Sequence, residues 1–140
     1  MPTQKLLPDE ALSAKAAAVF DDIRTTRNTE YVNNVWRMLA NDPPLLESMW
    51  GQMKRVMVEG REGGLDPLTR EVIYLAVSIA NDCEYCIHTH TAAARARGMT
   101  EAHYGEMMEI IALASFGNAV ASAMQVPVDE VFKDGGRRGA

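Results

Sequence analysis

The sequence predicts an all-α protein, a single domain of about six helices that assembles with copies of itself. Three observations carry that expectation. Apolar residues recur at three- and four-residue spacing along nearly the whole chain, and β-branched alternation is almost absent. Proline, glycine and short polar residues stand where such segments begin and end. The chain has 140 residues and is 47% apolar and 24% charged, the size and balance of one ordinary soluble domain.

In order, Pro8-Asp9-Glu10 opens a first helical run to about Arg24, with Leu12, Ala16, Val19, Phe20 and Ile23 on one face. Its acidic first turn suits the positive end of the helix dipole. Asn28 or Thr29 is positioned to cap a second segment with the stripe Val32, Val35, Trp36 and Leu39, closed by Asn41-Asp42-Pro43-Pro44. A third runs from Pro44 to about Glu59, with Leu45, Met49, Met53 and Val56 or Met57 facing one way. The sequence GREGG at positions 60–64 is the clearest break. Asp66 and Pro67 then start a fourth helix, as N-cap and first helical residue, with Leu68, Val72, Leu75, Ala76 and Ile79 as its stripe. A fifth begins near Cys83 and ends at Gly98, suited to a left-handed C-terminal cap. Thr100 caps a sixth that runs to about Met124, Pro127 closes it, and residues 128–132 add one more turn. The tail from about residue 133, ending GGRRGA, is expected to fray.

Several function classes fall away on composition. A net charge of −5 is a poor match for nucleic acid, whose binders carry basic stripes. Two cysteines make no secreted disulfide framework. Met1 to Glu10 has no basic and apolar leader pattern, so a reducing cytoplasm is expected. The uncharged stretch 110–128 is long enough on paper to span a bilayer. It is alanine-rich and interrupted by Ser115, Gly117, Asn118, Ser122 and Gln125, and so reads as a buried helix rather than a span. Its small residues, with more apolar stripes than one small chain can bury, suggest burial between subunits.

The chemistry gathers in one place. Residues 81–90, NDCEYCIHTH, hold both cysteines and two of the three histidines. On a helix advancing about 100° per residue, Cys86 lies near roughly 300° and His90 near roughly 340° from Cys83, while His88 points away near roughly 140°. Spacing alone therefore selects Cys83, Cys86 and His90 as one face. A C-x-x-C pair at a helix start closes a disulfide with little backbone movement. The dipole and free N–H groups there favour thiolate. A histidine one turn on accepts or relays the thiol proton. Glu71, twelve residues before Cys83 and beside the apolar stripe of the preceding helix, is the candidate carboxylate partner, expected to be half buried with raised proton affinity.

Glu71 followed by Cys83-x-x-Cys86-x-x-x-His90 resembles the E…CxxCxxxH signature of the alkylhydroperoxidase D-like branch of the carboxymuconolactone decarboxylase family. The likeness covers about residues 65–127, from LDPLTREVIYLAVSIANDCEYCIHTHTAAARARGMT through MTEAHYGEMMEIIALASFGNAVASAM. It implies a helical trimer or hexamer with thiol-dependent peroxidase activity and no cofactor. The resemblance makes Cys86 the thiol that attacks a hydroperoxide and Cys83 the resolving thiol. His90 would pass the Cys86 proton toward Glu71, and an external dithiol or protein would be the reductant. Some members carry histidine where Tyr85 stands, and His88 matches no motif position. The family's other chemistry, decarboxylation of a carboxylated lactone, needs no redox thiols. A non-enzymatic redox-sensing oligomer is the third reading.

The same residues admit simpler readings. Two thiols and an imidazole suit three corners of a zinc site, but the second pair of ligands is missing and His103 stands at the next helix start. Ile87 after the second cysteine excludes c-type haem attachment, and a thioredoxin site needs strands. The cysteines could be inert core residues, and Glu71 a solvated neighbour of Arg70. Trp36 and Trp50 read as packing anchors or a subunit contact.

Overall fold

The computed structural model describes residues 1–133 and is all-α, with no strand among them. Seven α-helices follow in order: α1 (Ala14–Arg27), α2 (Asn34–Leu39), α3 (Pro43–Met53), α4 (Pro67–Ala80), α5 (Glu84–Ala96), α6 (Glu101–Ala123) and α7 (Glu130–Lys133). A 3-10 turn, Asp9–Ala11, precedes α1, and a π-helical turn, Lys54–Glu59, continues α3. The expected tail beyond Lys133 lies outside the described residues. The chain forms two compact units, Met1–Pro67 and the part from Leu68 onward.

The first unit is built on α1, α2 and α3. Its core is Ala16, Val19, Phe20, Ile23, Val32, Trp36, Ala40, Leu46 and Trp50, with Leu12, Val35 and Leu39 packed against it. The stripes expected on the first two segments are those observed. Trp36 and Trp50 meet edge to face at 5.5 Å, so both tryptophans anchor helix packing within the unit. Asp22 holds this corner: it accepts from Trp50 Nε1 at 2.6 Å and from Lys54 Nζ at 2.8 Å.

Three expectations need correction here. The first run is split, because Ser13 caps α1 by accepting from the Ala16 N–H, leaving Asp9–Ala11 as a separate turn. Asn28 ends α1 in the left-handed conformation and does not open α2, which starts after Asn33. The buried face of α3 is Leu46 and Trp50, one residue round from the expected stripe, and Leu45 and Met49 are exposed. The Trp50–Asp22 bond and the bulk of Trp50 set that rotation. Gly60 ends the π turn at φ 70°, ψ −154°, a region open essentially only to glycine.

In the second unit, α4 buries Leu75 together with two polar residues, Glu71 and Ser78. The α4–α5 link is tight. Asp82 is left-handed (φ 53°), the Asp82 N–H donates to the Ile79 carbonyl and the Cys83 N–H to the Ser78 carbonyl. This is the paired closure of a helix end by a left-handed residue. Cys83 thereby closes α4 and caps α5 at once. The end of α5 repeats the device at Gly98 (φ 96°), with the Met99 N–H on the Ala94 carbonyl and both side chains buried. Thr100 caps α6 as expected, with His103 completing a reciprocal capping box.

The expectation of a buried segment over 110–128 is not met within the chain. Met107 is the one buried residue of the 23-residue α6, and Ile110, Leu113, Phe116, Val120 and Met124 are exposed. Periodicity and apolarity report that a face needs covering, not which chain covers it. No helix among the described residues is long and apolar enough to cross a membrane.

Candidate active site

All four residues singled out by spacing belong to α4, α5 and the turn between them. Glu71 opens the second turn of α4, Cys83 is the N-cap of α5, and Cys86 and His90 follow one and two turns along α5. The Cys83 Sγ takes the place of a capping oxygen and accepts from the Cys86 N–H at 3.4 Å. Both thiols are free and partly buried. His88 is exposed, on the other side of the helix.

Glu71 and His90 join the two helices, with Glu71 Oε2 lying 2.8 Å from His90 Nδ1. Glu71 is only 4% exposed, deeper than the half-burial expected. Such depth is affordable for a carboxylate only with partners on its oxygens. The second partner is Arg97, whose Nε donates to Glu71 Oε1 at 3.2 Å. Arg70, the neighbour in sequence, makes no ion pair with Glu71.

Two further residues complete the site. Tyr74 stacks on the His90 imidazole, ring centroids 3.7 Å apart and planes 23° apart. Burial, and then the charges of Cys86, Cys83 and Glu71, raise the Tyr74 hydroxyl above its ordinary pKa. Tyr74 lies one turn after Glu71 and Arg97 two turns after His90, so the angular count that selected His90 also finds them. Residue type is why they were passed over, since a tyrosine and a terminal arginine on helices have many ordinary uses.

The thiols correct one more expectation. Placement at a helix start was expected to favour thiolate, yet burial, with the hydrogen bond and charge of Cys83 beside it, pushes Cys86 up to about 11. The Cys86 thiol is therefore protonated near neutral pH. Among the described residues, no three His, Cys, Asp or Glu side chains converge as a metal site.

Comparison with known proteins establishes the family. The carboxymuconolactone decarboxylase family pattern matches residues 44–129, well over half of the chain and inclusive of all six site residues. The chain belongs to the carboxymuconolactone decarboxylase family. A solved structure of the alkylhydroperoxidase AhpD core from Rhodospirillum rubrum is 60% identical, covering 94% of this chain and 97% of that one with a TM-score of 0.89. This likeness sets the chain in the alkylhydroperoxidase D-like part of the family and extends to the helices of the first unit, beyond the motif-bearing stretch 65–127. No curated protein matches the chain.

Proposed function

We propose that this member of the carboxymuconolactone decarboxylase family is a thiol-dependent peroxidase that reduces hydroperoxides through Cys86 and Cys83. The observation that carries the reading is the Glu71–His90 contact, which fixes an imidazole one turn beyond a thiol that cannot ionise unaided. At pH 7 a thiol titrating near 11 is thiolate in roughly one molecule in ten thousand. A base that takes the proton as the sulfur attacks removes most of that handicap.

The chemistry balances without a cofactor. His90 accepts the Cys86 proton through its second ring nitrogen, stabilised by Glu71 on the first. The thiolate attacks one peroxide oxygen, the S–O bond forms as the O–O bond breaks, and the alcohol leaves with the proton returned by His90. Cys86 is now a sulfenic acid. The Cys83 thiol attacks its sulfur, a disulfide forms and water departs. An external dithiol restores both thiols by exchange and is itself oxidised to a disulfide. Such a cycle fits a reducing compartment, the cytoplasm.

The exposed apolar face of α6 supports assembly with copies of the same chain, because single soluble chains seldom leave so continuous a patch in water. The decisive experiment for the chemistry is peroxide consumption with a dithiol. The natural chain should turn over and lose both thiols to peroxide in the absence of reductant. Cys86→Ser should consume no peroxide, and Cys83→Ser without reductant should consume one equivalent and leave a trappable sulfenic acid. Full turnover by Cys86→Ser would overturn the assignment.

A further inference from the structure

A side-chain carboxylate held at one oxygen remains free to turn about its last torsion, which is broad and roughly two-fold. Glu71 is held at both. Oε2 faces His90 Nδ1 at 2.8 Å and Oε1 receives Arg97 Nε at 3.2 Å, with the Glu71 side chain 5% exposed. Both partners come from α5, seven residues apart and within about 20° of each other around the helix. Arg97 is the C-cap of α5, and the left-handed Gly98 beside it fixes the backbone from which the guanidinium reaches back. Tyr74 from α4 stacks on the imidazole, and the charges of Glu71 and of both thiols act on its hydroxyl.

We propose that Arg97 is a positioning residue, acting through Glu71 to keep one carboxylate oxygen aimed at His90 Nδ1. The argument rests on the relay reading above and adds a third link to it. An ionised carboxylate so far from water needs a counter-charge, and a neutral imidazole supplies none. Guanidinium is charged at every working pH and its planar fork holds direction as well as charge. An ionised Glu71 only accepts, so the proton sits on His90 Nδ1 and the other ring nitrogen is left as the acceptor for the thiol. Without Arg97 the carboxylate loses both its torsional lock and its compensation, and the imidazole loses the fixed tautomer.

The test uses the full chain carrying Cys83→Ser, so that Cys86 is the one reporting thiol, with iodoacetamide as the probe across a pH series. Arg97→Gln should slow Cys86 alkylation near neutral pH by roughly 5- to 100-fold and displace its pH profile. Arg97→Lys, which restores charge without the fork, should recover part of the loss. In a Glu71→Gln background, Arg97→Gln should add no further loss, since the carboxylate through which it acts is gone. A folded Arg97→Gln protein with natural rate and pH profile would overturn the proposal, as would a full additional loss in the Glu71→Gln background. If Arg97→Gln alone fails to fold, Glu71→Gln with Arg97→Gln leaves no buried charge unpaired. Comparison with Glu71→Gln alone then decides in the same way. Alkylation does not depend on peroxide turnover. A natural chain that consumes no peroxide would therefore sink the peroxidase reading and leave this comparison standing.

Discussion

Glu71 on α4 and His90 on α5 meet at 2.8 Å, nineteen residues apart in sequence, with Glu71 almost wholly out of water. A buried carboxylate facing an imidazole fixes which ring nitrogen carries the proton. Glu71→Gln keeps the shape but exchanges one carboxylate oxygen for an amide donor; with the remaining oxygen drawn to Arg97, an amide N–H opposes the ring N–H. Peroxide turnover should fall by about 10²- to 10⁴-fold, from the usual worth of a positioned acid–base group up to the loss known when an orienting carboxylate becomes an amide. Steady-state peroxide consumption at saturating dithiol measures it.

The Cys86 thiol offers a second measurement. With its pKa pushed up to about 11, an unassisted thiol should react about tenfold faster for each pH unit between roughly pH 7 and 9. His90→Ala should show that bare slope in alkylation. The natural chain should react faster at neutral pH and rise less steeply, because the imidazole takes the proton there. Replacing Cys83 with alanine should lower the Cys86 midpoint by removing the hydrogen bond and charge that raise it. Burial, the largest cause, remains, so the midpoint should stay above that of an exposed cysteine.

Most of the site was legible because helical geometry is regular. Cys83, Cys86, His90 and Glu71 are placed by counting residues, and the same count rejects His88. Arg97 lies on the same count, two turns after His90, but an arginine at a helix end has many ordinary uses, and only the Glu71 carboxylate reaching it from α4 marks it out. The fold was legible for a related reason, with limits at its joints. Asn28 suits an N-cap and a left-handed C-terminal position equally well, and only the Thr29 N–H reaching the Arg24 carbonyl decides for the latter. On α3, tertiary contacts chose Leu46 and Trp50 over a neighbouring stripe of similar apolarity. On α6 the apolar pattern was plain, but no described residue covers it.

Asp22 links the pH dependence of stability to the first unit. Its bonds from Lys54 and Trp50 hold its carboxyl below the ordinary value of 3.8. A depressed folded pKa means stabilisation that is complete above the unfolded value and lost as pH falls through the folded one. Stability should therefore begin to fall below about pH 5 and continue falling past 3.8. The side chain is 43% exposed, so the pair with Lys54 is worth about 1 kcal/mol or less. Asp22→Asn should flatten that part of the acid limb in denaturant titrations at successive pH values.

Gly98 tests the turn that fixes Arg97. A Cβ there would meet nothing within 4 Å, so space is no obstacle, and φ 96° is the whole difficulty. Gly98→Ala should cost about 1 kcal/mol, seen as a lower denaturant midpoint at unchanged slope. Because the strain falls beside Arg97, the same variant should also slow Cys86 alkylation, whereas an equal loss of stability from a substitution in the first unit should not.

The exposed face of α6 makes a prediction about mass. Ile110, Leu113, Val120 and Met124 recur at helical spacing, with Phe116 beside them, and each is at least 40% exposed. Covering apolar area is worth about 25 cal/mol per Å², so a few such side chains buried on both partners outweigh part of the rotational and translational cost of association. Sedimentation should find a multiple of 15.4 kDa at micromolar concentration. Leu113→Glu together with Phe116→Glu should release single chains, because two carboxylates in a desolvated interface find no partners. These positions are exposed within the chain, so helicity should be kept while mass falls. A protein that is already a single chain before substitution would show that α6 remains uncovered in solution, and the assembly reading would fall with it.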